Sequence, residues 1–144
     1  MSIQNYRKST LNAFFTDSEA VEENGLFSFP VFKTTGTSIK FSGGTSVSIV
    51  CPGLYHIIAN VSGAAASGSG NLTIQLNRNG SAIVGTALTS FSTATTDIRE
   101  ITTGTIIEVL PSCASVDNTA VITVSNVGVD GNFIAGNLQI VKLA

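Results

Sequence analysis

Residues 46–85 read SVSIVCPGLYHIIANVSGAAASGSGNLTIQLNRNGSAIVG. Val47, Ile49 and Cys51 alternate with Ser46, Ser48 and Val50, the two-residue period of a half-buried strand. Pro52-Gly53 interrupts that run, and a second begins at once. Tyr55, Ile57, Ala59 and Val61 share one face, with His56, Asn60 and Ser62 on the other. The Gly/Ala/Ser tract at 63–70 reads as a loop. Leu72, Ile74 and Leu76 then alternate with Thr73, Gln75 and Asn77 up to Asn79-Gly80. That dipeptide suits a tight hairpin because both residues tolerate positive φ. The stretch is a train of short strands with no recognisable catalytic group, so function is expected from surface and assembly.

The same reading extends downstream. Residues 81–88 are expected to pair back across the Asn79-Gly80 turn, and 90–96 form a Ser/Thr-rich connection. A strand is expected near 97–101, Thr103-Gly104 is a turn signal, and 106–110 is strand-like up to Pro111. Asp117-Asn118 marks a turn before a strand at 120–127. Residues 129–132 turn again, and 138–143 close the chain as a strand. From Ser38 onward this makes about eight to ten strands with no convincing helix, the pattern of an all-β jelly roll or related sandwich.

Composition agrees. A chain of 144 residues is one domain by length, rich in Val, Ile, Thr and Phe and without Trp. Only 11% of its residues are charged, against about 25% in an average globular protein. It is hydrophobic overall, yet holds no apolar run long enough to cross a bilayer. The expectation is that apolar surface is buried between subunits; a monomer coated in Ser, Thr and Asn is the alternative. Net charge is −2 and Arg7-Lys8 is the one adjacent basic pair, which argues against nucleic-acid binding. No apolar leader follows Met1, so synthesis and folding in a cytoplasm are expected. Cys51 and Cys113 could form one disulfide, but buried, inert thiols suit that compartment better.

Charge is unevenly placed. Arg7, Lys8, Asp17, Glu19, Glu22, Glu23 and Lys33 crowd into the first 33 residues, and the shift in character sets off an N-terminal segment, 1–30, from a domain at 31–144. Thr16 followed by Glu19 resembles a capping box and Asn24-Gly25 a stop, so a short helix over 17–23 is expected. Leu11, Phe14 and Phe15 form an apolar cluster just before it. They are either the docking residues of an arm that binds another protein or part of a strap along the edge of the chain's own β-domain.

Catalytic constellations are poorly supported. His56 is the sole histidine and sits mid-strand, where a structural or interface role is expected. Glu100 and Glu108 are expected on different strands as solvated charges. The glycines at 63–70 are not followed by the Lys-Ser/Thr pair of a phosphate-binding loop. Asn60, Asn71 and Asn79 match the N-glycosylation pattern, but a chain without a leader would not meet that machinery. No enzyme activity, cofactor or metal is expected.

Four segments in order carry a family resemblance. Val50-Cys51-Pro52-Gly53-Leu54-Tyr55 resembles the opening of a strand in the complement globular-head and tumour-necrosis-factor-like jelly rolls. Leu72-x-Ile74-x-Leu76-x-x-Asn79-Gly80 is similar to a hairpin of that family. Residues 100–106 resemble one of its turns, with Thr105 where an acidic residue is usual. Residues 133–143 resemble its closing strand as found in bacterial and phage members. The resemblance covers about 37–144. The clustered loop Asp residues that bind calcium in some relatives are missing, as is a Gly-X-Y stalk.

The resemblance implies a compact homotrimer built through one apolar sheet face. Tyr55, Ile57, Leu72, Ile74 and Leu76 are then core or trimer residues, with the choice of face open. Two functions follow as expectations. The first is a virion structural protein, a bacteriophage capsid decoration or head-fibre protein, partnered by the major capsid protein or another virion protein. The second is the receptor-binding head of a phage tail or of a bacterial or spore surface fibre. Such a head would grip a host glycan or protein through the loops at 63–70 and 86–96.

Overall fold

A computed structural model describes residues 8–111 and 119–144. The described chain is all-β, with twelve strands and no helix. In chain order they are β1 (Thr10–Phe15), β2 (Glu19–Val21), β3 (Val31–Thr35), β4 (Ile39–Lys40), β5 (Val47–Ile49), β6 (Gly53–Ala65), β7 (Gly70–Arg78), β8 (Ser81–Ala82), β9 (Leu88–Ser92), β10 (Arg99–Val109), β11 (Ala120–Asn126) and β12 (Gly131–Lys142). They form two six-stranded antiparallel sheets. The first runs β10-β6-β12-β1-β3, with β2 also paired to β12; the second runs β4-β5-β11-β7-β8, with β9 also paired to β7. Strands far apart in sequence lie side by side, as a jelly roll requires.

The two-residue period decides which side chains meet between the sheets. Tyr55, Ile57, Ala59 and Val61 of β6 face Leu72, Ile74 and Leu76 of β7 across the core, and all are essentially inaccessible. Val47 and Ile49 join them while Val50 stays exposed. All five core-or-trimer candidates (Tyr55, Ile57, Leu72, Ile74 and Leu76) therefore lie in the core of a single subunit. At the Asn79-Gly80 hairpin both residues take positive φ, 52° and 83°, as the dipeptide foretells.

Tyr55 is the largest of the fully buried side chains, and its hydroxyl donates to the Cys51 carbonyl at 2.7 Å. Truncation to Ala empties a ring-sized space and is expected to cost about 3–5 kcal/mol in urea unfolding; a loss below about 1 kcal/mol would contradict this placement. Burial raises the hydroxyl's pKa above the ordinary 10.0, a polar contact with Ser38 partly offsets it, and nearby Cys51 adds to the rise. The folded chain thus keeps this proton after the unfolded chain has lost it. The tyrosine's contribution to stability is complete below pH 10 and declines as pH rises above it.

The N-terminal segment corrects three expectations. β1 is not an arm: it lies between β12 and β3, with Leu11 opposite Ile140 and Phe15 opposite Gly136. The structure places Leu11 and Phe15 in the sandwich core, where a docking partner cannot reach them. Phe15 stacks against Phe27 and tilts against Phe29, and Phe27 meets Phe133 edge-on at 4.7 Å. Gly136 makes room for this cluster, since a Cβ there would lie 2.5 Å from the Phe15 ring. No break in the core falls at residue 30. The expected helix over 17–23 is also absent, because Glu19–Val21 adds to β12 as a strand. Glu19, read as a capping residue, instead accepts from the Ser28 amide at 3.0 Å. Asn24-Gly25 does turn the chain, with Asn24 at φ 68°. Buried Asn126 fastens this segment by donating to the Val21 and Val129 carbonyls while accepting from the Gly128 amide.

Three further differences lie downstream. Thr103-Gly104 is no turn but the middle of β10, where Thr103 is buried and donates to the Thr86 carbonyl at 2.7 Å. The tract at 63–70 is loop only at 66–69, because residues 63–65 complete β6 and pair with β12. Within 86–96, Leu88–Ser92 forms a strand on β7, and Thr86 and Ser92 are buried. The expected Asp117-Asn118 turn and Cys113 lie outside the described residues; Cys51 is half-buried.

Candidate assembly face

The outward side of the first sheet is set by the residues left over once the core positions are filled. Strand register then brings distant positions together. Ile106, His56, Val141 and Thr10 are consecutive neighbours across β10, β6, β12 and β1. The next row holds Gly104, Ile58, Gln139 and Asn12, and the one after it Thr102, Asn60, Asn137 and Phe14. Across these four strands the three rows hold no Asp, Glu, Lys or Arg; the first charge met is Lys33 of β3, the next neighbour of Asn12. Charges on this side stand at its margins: Glu100 and Glu108 on β10, Lys33 on β3, and Lys8, whose ammonium donates to the Leu143 carbonyl at 2.6 Å.

Several of the apolar side chains have no cover. Ile106 is 58% exposed, Leu54 40% and Val141 38%, and Ile134 and Leu143 are similar. Leu54 joins the group because Leu143 donates to its carbonyl at 2.7 Å, drawing the C-terminal residues beside β6. Depletion of charge around exposed apolar side chains is a feature that the cores of contact surfaces share. Phe14, the third docking candidate, is half-buried at the edge of this face beside Val31.

The outward side of the second sheet contrasts with it. Ser48, Thr73, Gln75, Asn77, Thr123 and Ser125 dominate there. Thr73 and Thr89 share a hydrogen bond at 2.7 Å between β7 and β9.

His56 lies inside the uncharged face, with Ile106 and Val141 as its register neighbours. Glu100 and Glu108 correct an expectation: both stand on β10, about 27 Å apart at the usual rise of an extended strand. They cannot act on one bond. Among the described residues, no cluster of three His, Cys, Asp or Glu is placed to hold a metal ion.

The loops at 66–69, 93–98 and 127–130 gather at one end of the sandwich, since Gly63 pairs with Arg99, Gly70 with Ser92 and Ala65 with Gly131. Asp97 organises one of them. Its carboxylate accepts from the Thr93 amide and hydroxyl, both at 2.8 Å, and pairs with Arg99 at 2.9 Å. The Thr93 amide, then Arg99, hold its pKa down at about 2. The ties are intact at neutral pH and are lost as pH falls through that value. Asp97→Asn is expected to speed hydrogen exchange at the Thr93 amide and leave the global unfolding midpoint nearly unchanged. Unchanged exchange would show that the carboxylate does not hold the loop.

Two antiparallel sheets packed over one core in this strand order make a jelly-roll sandwich, a fold shared with solved tumour-necrosis-factor and complement-head domains. Solved structures agree. Eiger TNF from S. frugiperda superposes with a TM-score of 0.61 at 12% identity, covering 96% of this chain and 94% of that one. Murine APRIL gives 0.60 at 12% identity, covering 95% and 100%. The globular domain of the zebrafish complement 1qA protein gives 0.57 at 10% identity, covering 91% and 95%. No family profile matches the chain, and no curated protein matches it by sequence. The likeness is one of fold.

Proposed function

We propose that this chain is a non-enzymatic, homotrimeric jelly-roll head that closes through the outward face of its first sheet. The observation that supports it best is the uncharged face of Ile106, His56, Val141, Ile58 and their neighbours. Three copies arranged about an axis bury one such face each without leaving an open edge. Within that class we assign the chain a virion structural role, as a capsid decoration or head-fibre subunit bound to a major capsid protein or another virion protein. Support for this finer role comes from the low charge and the Ser/Thr/Asn-rich outward side of the second sheet. A static surface component needs little beyond a stable fold, a self-contact and a hold on its particle.

The test is co-sedimentation of the purified protein with capsids that lack it. Saturable binding at a fixed number of sites per particle supports the virion role. Adsorption to host cells without capsid binding would transfer the assignment to a receptor-binding head.

A further inference from the structure

The outward side of the second sheet carries a cleft of about 460 Å³. Its polar floor comes from two neighbouring strands. Thr123 and Ser125 of β11 stand opposite Asn77 and Gln75 of β7. The Asn77 amide nitrogen donates to Thr123 Oγ1 at 3.2 Å and to Ser125 Oγ at 3.0 Å. Its oxygen accepts from Gln75 Nε2 at 2.9 Å. Asn77 and Ser125 are almost buried, at 8% and 6% exposure, although they belong to the outward side of the sheet.

This arrangement orients the remaining hydrogen-bonding groups. Both Asn77 amide hydrogens are used, and each hydroxyl has accepted one of them. The hydroxyl hydrogens of Thr123 and Ser125 therefore point elsewhere and can be donated, while the Gln75 carbonyl oxygen can still accept. Leu26, Val121 and Val127 supply apolar walls, and no charged or aromatic residue lines the cleft.

These features discriminate among ligand classes. A charged ligand would find no counter-ion. A purely apolar one would strand two hydroxyls and an amide away from water, which is unfavourable. An extended peptide pairs with a sheet edge, whereas the cleft lies over a sheet face. A neutral sugar offers both donors and acceptors on one side and a C–H face on the other, and the volume falls within the usual range of about 300–1,000 Å³ for small-ligand sites.

We infer that the cleft over Gln75, Asn77, Thr123 and Ser125 is a binding site for a neutral, uncharged pyranose unit of a glycan. The site lies on the sheet opposite the proposed assembly face and does not depend on trimer formation. It also differs from the loop regions at 63–70 and 86–96 that sequence alone singles out.

The test uses the full-length protein and follows its ¹⁵N-labelled amide signals during titration with glucose, galactose, mannose and N-acetylglucosamine. The expected result is saturable shifts with at least one sugar, centred on the Gln75 and Asn77 side-chain amides and the backbone of residues 123–125. Thr123→Val and Ser125→Ala each remove one hydroxyl with little change of shape, and their combination is expected to weaken binding about ten-fold or more, the equivalent of about 1.4 kcal/mol. Spectra of the free variants check that the fold persists. Three results would overturn the inference: no saturable shift with any of the four sugars, shifts centred elsewhere, or undiminished binding by the folded double variant.

Discussion

Removing residues 1–30 is expected to leave a chain that does not fold. The deletion takes β1 out of the first sheet, where it bridges β12 and β3, and takes β2 from the end of β12. It also strips Leu11, Phe15, Val21, Phe27 and Phe29 from the core, all of them buried. Losing one buried Phe costs about 3–5 kcal/mol, and the total stability of a domain is about 5–15 kcal/mol. The summed loss exceeds what such a fold can absorb. The buried Asn126 side chain would lose its Val21 partner as well. Circular dichroism and proton NMR should show a chain without dispersed signals or a cooperative melt. A cooperative transition near that of the full chain would mean that the segment is a separable arm after all.

Val141→Arg is expected to leave the subunit folded and to dissociate the assembly. The side chain is partly exposed on the outward face of β12, so the isolated subunit can hold an arginine there. Substitutions at such positions generally change stability by about 0.5 kcal/mol or less. In an assembly closed through this face, the guanidinium would be buried beside His56 and Thr10, its neighbours across the strands, with no carboxylate in the row to receive it. An unpaired buried charge costs about 3–5 kcal/mol, and a closed ring would incur that cost once per subunit. Val84→Arg is the control, since Val84 is 97% exposed in the loop between β8 and β9. It should change neither the melt nor the mass. An assembly that survives Val141→Arg must close through some other surface.

The legible parts of this fold are those written in short-range alternation. Tyr55, Ile57, Ala59 and Val61 announce the buried face of β6 without help from elsewhere, as Leu72, Ile74 and Leu76 do for β7. Asn79-Gly80 announces its turn because both residues tolerate the required backbone. The N-terminal segment misleads for a physical reason. Thr16, Glu19 and the neighbouring acids suit a short helix locally, but the stabilising partner of this stretch is β12, more than a hundred residues away. Leu11, Ala13 and Phe15 do alternate with Asn12 and Phe14, a strand signal set against the clustered charge of the flanking residues. Gly104 misleads in the opposite way, as a turn residue accommodated within a long strand where a side chain would crowd the Ile57 carbonyl.

The candidate assembly face is legible only in fragments, since alternation puts His56 and Asn60 on one side of their strand but does not say what lies beside them. His56, Ile106 and Val141 are unremarkable singly and lie far apart in sequence; only the register of β10, β6 and β12 makes them one surface. The same holds for the cleft on the second sheet, whose floor needs β7 and β11 side by side. Low overall charge hints that a contact face exists, but composition cannot say where it lies.

The measurement that tests the central claim most directly is the native mass of the purified full-length chain by light scattering during size-exclusion chromatography. A mass near three times 14.8 kDa, falling to a single subunit in Val141→Arg, is the predicted result. A stable wild-type monomer at micromolar concentration would contradict the account, because the uncharged face of the first sheet would then stand open to water.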